Sequence, residues 1–155
     1  MIRQRIYIDT SVIGGCFDNE FSKWSNGLFQ DFKNKIYSPV ISEVVETELK
    51  LAPTNVKELY RDLLKLNCGI LEVTAESLEL AKTYQERNIL TPKYFDDGLH
   101  ISLATINKVD LLVSWNFKHI VHFDKIRLFN SINIELGYKP IEIYSPREVT
   151  TIEKD

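Results

Sequence analysis

Five short apolar runs, separated by longer stretches with helical periodicity, constrain this chain more than any other feature. The runs are "RIYID" (5–9), "KIYSPVI" (35–41), "GILEVT" (69–74), "DLLVS" (110–114) and "PIEIYS" (140–145). After the first, Gly14-Gly15 is expected to break any regular element. Phe21, Trp24, Leu28, Phe29 and Phe32 then recur at three- and four-residue spacings, the mark of an amphipathic helix. Ser42 is placed to cap a helix over "SEVVETELKLA", whose first turn carries acids that suit the helix dipole. Pro53-Thr54 restarts a helix over "NVKELYRDLLKLN", and another covers "AESLELAKTYQERN". Pro92 marks the boundary of a nearly all-apolar helix starting at Asp96 or Asp97, and "KIRLFNSINIELG" reads as helix up to Gly137. Strands alternating with helices imply βαβ units: an α/β fold with a central parallel sheet of four to five strands and helices on both faces.

With 155 residues, no linker and no repeat, the chain reads as one domain over 1–155. Hydrophobic residues at 44% and charged residues at 26% are ordinary for a globular protein. A net charge of -3 excludes the broad basic signature of a protein that coats nucleic acid, while leaving room for a local basic groove. Cys16 and Cys68 have no metal-ligand spacing and read as free thiols in a reducing cytoplasm. The N-terminus lacks the pattern of a secretion signal and no apolar run reaches membrane-spanning length, so the expectation is a cytoplasmic protein without a membrane partner.

In open parallel sheets the functional crevice lies at the C-terminal ends of the strands. Asp9 ends the first strand, Ser114-Trp115-Asn116 ends the fourth, and the helix from Ser42 directly follows the second. One rim therefore gathers Asp9, a glutamate of "SEVVETEL", Asp97 and Asn116. Glu43, Glu46 and Glu48 all compete for the glutamate position. Carboxylates brought together repel one another unless protons or a cation compensate. Hard Mg²⁺ or Mn²⁺ takes such oxygen ligands, can activate water and can stabilise charge on a phosphorus under attack. The chemistry indicated is metal-assisted phosphodiester hydrolysis. A dehalogenase-type phosphatase needs a second aspartate where Ser11 stands, and no glycine-rich phosphate loop is present.

"YIDTSVI", "ISEVVETEL", "DDGLHISLAT" and "VDLLVSWNFKHI", in that order and spacing, resemble the PIN-domain ribonucleases, especially small stand-alone VapC-like toxins of type II toxin–antitoxin systems. The resemblance implies a three-layer α/β/α sandwich that cleaves RNA with Mg²⁺ or Mn²⁺ at clustered acids. It implies metal binding by Asp9 and Asp97. It favours Glu48, six residues after Ser42, over Glu43 as reserve. Asn116 falls where many members carry aspartate, and an amide supplies an oxygen without charge. Ser11 and Ser114 would support the site. Lys118 and His119 follow Asn116 and are placed to touch a phosphate of the RNA, while a solvated short helix explains them equally well. An antitoxin protein and a second copy of the chain are the implied partners. The alternative is a degenerate PIN-like module that binds RNA or protein without cutting, which Asn116 and the acidic balance favour.

Several residues have simpler readings. Asp96 would cap its helix, leaving Asp97 to face the rim. His100 reads as a packed, satisfied histidine, Trp115 as packing at the sheet edge, and Asp110 as structural.

Overall fold

A computed structural model describes residues 2–152. Strands β1 (Gln4–Ile8), β2 (Tyr37–Ser42), β3 (Gly69–Leu71), β4 (Leu111–Val113) and β5 (Ile143–Tyr144) form one sheet in the order β3-β2-β1-β4-β5. Every pairing is parallel, with Tyr7 beside Val40 on one side and beside Leu112 on the other. The expected α/β architecture is the one observed.

Side chains alternate across the sheet with a period of two. On one face Ile6, Ile8, Ile41, Leu111 and Val113 pack with α1 (Thr10–Gly15), α2 (Ser22–Lys33) and α4 (Thr54–Leu64). On the opposite face Tyr7, Val40, Leu112 and Ile143 pack with α5 (Ala75–Glu86), α6 (Phe95–Ile106) and α7 (Phe123–Glu135). The short α3 (Glu43–Glu48) sits at the end of β2 and sends Val44 into one core and Val45 into the other. These are the three layers. Chain order reverses direction between β1 and β4, which is the switch point where such sheets open a crevice beyond their strand ends.

Two local expectations need correction, and one short element is added. Gly14 and Gly15 are not a break outside a helix: they form the last two residues of α1, which ends at Gly15, and neither has positive φ. The reason for a glycine at 15 is space, since a Cβ there would stand 2.7 Å from Ser25 Oγ and 2.7 Å from Trp115 Nε1. Asp96 caps nothing. A 3-10 turn over Pro92–Tyr94 leads into α6, whose N-cap is Tyr94, so Asp96 and Asp97 both lie inside the first helical turn. Finally, a short α8 (Pro146–Val149) follows β5, closed by a capping box between Ser145 and Glu148.

Cys16 and Cys68 are both free, and burial pushes each thiol up to about 12, which suits packing more than reactivity. Among the described residues no helix is long and apolar enough to cross a membrane.

Candidate active site

Asp9 follows β1 at the sheet's centre, two residues after Tyr7, and so continues on the α6 side. It is only 4% exposed. Ser11 Oγ donates to its Oδ1 and Ser114 Oγ to its Oδ2, each at 2.6 Å. Both hydroxyls are themselves fixed: Ser11 Oγ accepts the Trp115 amide at 2.9 Å, and Ser114 Oγ accepts the Asn116 amide at 2.9 Å. Loops from both sides of the switch point are thereby tied to one carboxylate. Burial raises the pKa of Asp9 and the charge of Glu48 adds to it, against His100 and the two serines.

Glu48 is the glutamate that the fold brings to this rim. Its Oε1 accepts from Thr10 Oγ1 at 3.1 Å and lies 2.7 Å from His100 Nε2. Glu43 is exposed beside Thr47, Val73 and Asp96, and Glu46 accepts the Tyr60 hydroxyl at 2.8 Å, so neither reaches Asp9. Burial opposes ionisation of Glu48, but its hydrogen bonds and the charge of His100 outweigh that and lower its pKa. Glu48→Gln is expected to reduce any cleavage by roughly 10²-fold, the scale for losing one charged group at a reacting centre, while Glu43→Gln changes it less than about twofold. Initial rates on a labelled RNA check the pair.

Asp97 enters from the first turn of α6, one turn before His100. Burial, and then the charges of Asp9 and Glu48, push its carboxyl up to about 6, although His100 and a hydrogen bond from the Asn116 side chain pull it down. Its folded-state pKa thus lies above the unfolded one, so its stabilising contribution is present below about 4 and lost as pH rises through about 6. At neutral pH the ionised carboxylate weakens the fold. Asp97→Asn is therefore expected to raise Tm by about 3–6 °C at pH 7 and by almost nothing at pH 4. Thermal melts of both proteins across this range test the sign.

Two residues of the cluster carry more than their sequence reading. His100 is packed and satisfied as expected, with Nδ1 at 2.6 Å from the Tyr7 hydroxyl and Nε2 on Glu48. It also sits among the acids: burial disfavours its charged form, yet Glu48, Asp9 and Asp97 together raise its pKa. An imidazolium here offsets part of the acids' mutual repulsion. Tyr7, read only as a core residue, links Ser42 Oγ (2.7 Å) to His100 and so joins β1, β2 and α6. Two spacings carried the signal: Tyr7 shares a strand face with Asp9, and His100 shares a helix face with Asp97.

Asn116 does not present its oxygen to the acids. Its Oδ1 accepts the His119 amide at 2.9 Å, which turns the amide NH₂ toward Asp97. Trp115 is buried, stacked on Phe21 at 4.1 Å, and its Nε1 donates to Ser25 Oγ at 2.8 Å. Asp110 is structural, with Oδ2 accepting the Arg5 amide at 2.6 Å. Lys118 is exposed, whereas His119 is buried.

The donor set of Asp9, Asp97 and Glu48 is all carboxylate oxygen, which suits a hard divalent cation. Each Asp9 oxygen takes one hydroxyl hydrogen and keeps a second lone pair. Among the described residues no three His, Cys, Asp or Glu side chains already stand at metal-holding spacing. The fit lies in donor chemistry and shared charge.

Two of the solved structures that share this fold are informative. In a toxin–antitoxin complex from Klebsiella pneumoniae, a chain matches with a TM-score of 0.54 and 15% identity, over 74% of this chain and 88% of that one. In VapBC2 from Rickettsia felis, bound to a DNA fragment from the promoter, a chain matches with a TM-score of 0.58 and 16% identity, over 92% and 98%. At such identity the likeness is one of fold: a three-layer α/β arrangement around a parallel sheet, as the sequence pattern predicts. No family model matches the sequence, and no curated protein does.

Proposed function

We propose that this protein is a metal-dependent endoribonuclease and the toxin half of a toxin–antitoxin pair. The observation that carries the reading is the convergence of Asp9, Glu48 and Asp97 on one strand-end rim, with Asp9 and Asp97 both held above the ordinary carboxylate range. Raised carboxylates beside a crevice mark a place built for a charged ligand. Asp9 and Asp97 would hold Mg²⁺ or Mn²⁺, with Glu48 as the third carboxylate. A bound ion of this kind neutralises charge developing on a phosphodiester and lowers the pKa of water. Ser11 and Ser114 orient Asp9, and Asn116 orients Asp97 through its NH₂. Both similar structures contain toxin–antitoxin proteins, which supports a small antitoxin as partner. The homodimer, the cytoplasmic location and the contacts of Lys118 and His119 with RNA belong to the same proposal.

The second reading, a PIN-like module that binds without cutting, is favoured by one observation. Asn116 brings no charge to the rim and its oxygen is already engaged. Incubating labelled single-stranded RNA with the protein and Mn²⁺ or Mg²⁺ separates the two. Cleavage that stops with EDTA and disappears in Asp9→Asn and Asp97→Asn is expected. Identical traces from all three proteins would mark a contaminant and overturn the enzymatic reading.

A further inference from the structure

A cavity of about 720 Å³ opens beside the acidic rim, lined by Gln85, Ile89, Pro92, Tyr94, Lys118 and His119 among others. Two of these residues lead straight into the candidate site. Tyr94 precedes Asp97 by three residues, and the backbone N–H of His119 is the donor to Asn116 Oδ1. Three buried side-chain nitrogens lack a hydrogen-bond partner among the described residues: Gln85 Nε2, His119 Nδ1 and His119 Nε2. All three belong to residues lining this cavity. Buried polar groups are nearly always paired, so three orphans around one space point to something that pairs them.

The ligand's chemistry follows from the lining. His119 is 8% exposed, and the Tyr94 ring lies over its imidazole with centroids 3.9 Å apart. Burial, then Lys125, Lys118 and His122, lower its pKa, so the ring is neutral at pH 7 and offers one donor and one acceptor. The Gln85 amide adds donors. Lys125 Nζ is committed to the Ile89 carbonyl at 2.7 Å, whereas Lys93 and Lys118 stand 5.5 and 5.7 Å from the centre of the Tyr94 ring. An aromatic ring, uncharged edge-reading groups and two lysines at the same place are what an unpaired nucleotide meets in a single-strand binding site.

The geometry points to this cavity as the seat of one unpaired RNA base next to the phosphodiester at the acidic rim, read by Gln85 and His119, with Lys93 and Lys118 on its phosphate. This rests on the nuclease reading for the identity of the polymer. The imidazole nitrogens are closed off beneath the Tyr94 ring, so seating the base requires that ring to turn aside.

The test measures binding in EDTA, so that it does not depend on cleavage. Fluorescent single-stranded RNA, intact or with one abasic site placed at each position in turn, is titrated with wild-type protein, Gln85→Leu and His119→Phe. One abasic position is expected to weaken wild-type binding about tenfold, the scale of a stacked, hydrogen-bonded base. The two variants, which keep volume and lose the polar groups, should bind intact RNA several-fold more weakly and lose little more from the same abasic site. Equal binding of intact and abasic RNA at every position, or losses that multiply in the variants, overturns the base seat. Nucleoside monophosphates should also shift the His119 ring resonances while ribose 5-phosphate leaves them in place; equal shifts would mean a phosphate site and overturn it as well. An abasic effect in a protein that never cuts RNA would refute the nuclease and leave the seat standing.

Discussion

Asp9→Asn is expected to reduce metal-dependent RNA cleavage by roughly 10²–10³-fold, the scale for removing one charge-stabilising group from a reacting centre. The same variant should stay folded and melt no lower than the parent. Both outcomes come from one fact: Asp9 is a buried carboxylate whose pKa burial has raised. A group raised in the folded state favours the fold while protonated and weakens it once ionised, so at pH 7 the charge is a cost to stability. Asparagine removes that charge and keeps the shape. The Ser11 and Ser114 hydroxyls, now donors to Asp9, can rotate so that one donates to the amide oxygen and the other accepts from its NH₂. Divalent cation provides an independent readout. Mn²⁺ should raise the Tm of the parent, since a ligand at 100 times its Kd adds about 2.7 kcal/mol to the native state. It should leave Asp9→Asn almost unmoved. A variant that cleaves as fast as the parent, or melts equally higher with Mn²⁺, removes Asp9 from the centre of the site.

The same residue shows how much of the molecule could be read in advance. "RIYID" alternates Ile6, Tyr7 and Ile8 across a buried strand and ends on a carboxylate, and the strand-end rule for parallel sheets does the rest. Both faces and the rim follow from such patterns because burial on each side of a central strand leaves the chain little choice. What escaped was set by tertiary packing. Gly14 and Gly15 look like a break because glycine disfavours helix, yet both belong to the last turn of α1, and at Gly15 the Trp115 indole needs the space that a Cβ would fill. Tyr7 and His100 are ordinary core residues by composition. Their role appears only once β1 and α6 are packed and the hydrogen bonds run from Ser42 through both to Glu48. Which way the Asn116 amide points is likewise invisible in sequence, because the His119 backbone decides it.

Trp115→Ala is expected to cost about 3–5 kcal/mol of stability, the usual range for emptying the space of a buried aromatic, and to lower Tm by roughly 6–20 °C. The indole is 7% exposed, stacks on Phe21 at 4.1 Å, and donates from Nε1 to Ser25 Oγ at 2.8 Å. Truncation therefore leaves both a void and an altered partner for Ser25, whose hydroxyl still donates to the Val12 carbonyl at 2.9 Å. Gly15→Ala attacks the same contact from the other side: its new methyl would meet the indole at 2.7 Å and should cost about 1–3 kcal/mol by overpacking. Gly14→Ala is the control, because nothing lies within 4 Å of a Cβ there and a helical alanine should be neutral or stabilising by about 0.5–1 kcal/mol. Denaturant melts of the three variants order them. The consequence reaches the rim because Trp115 lies between Ser114 and Asn116, and its own amide holds Ser11 Oγ. Loosening the indole frees both hydroxyls that grip Asp9. Trp115→Ala should thus lose cleavage even well below its Tm, whereas Gly14→Ala should retain it. An alanine at 115 that melts with the parent and cuts at the parent's rate would show that the aromatic stack neither holds the fold nor aims the carboxylate.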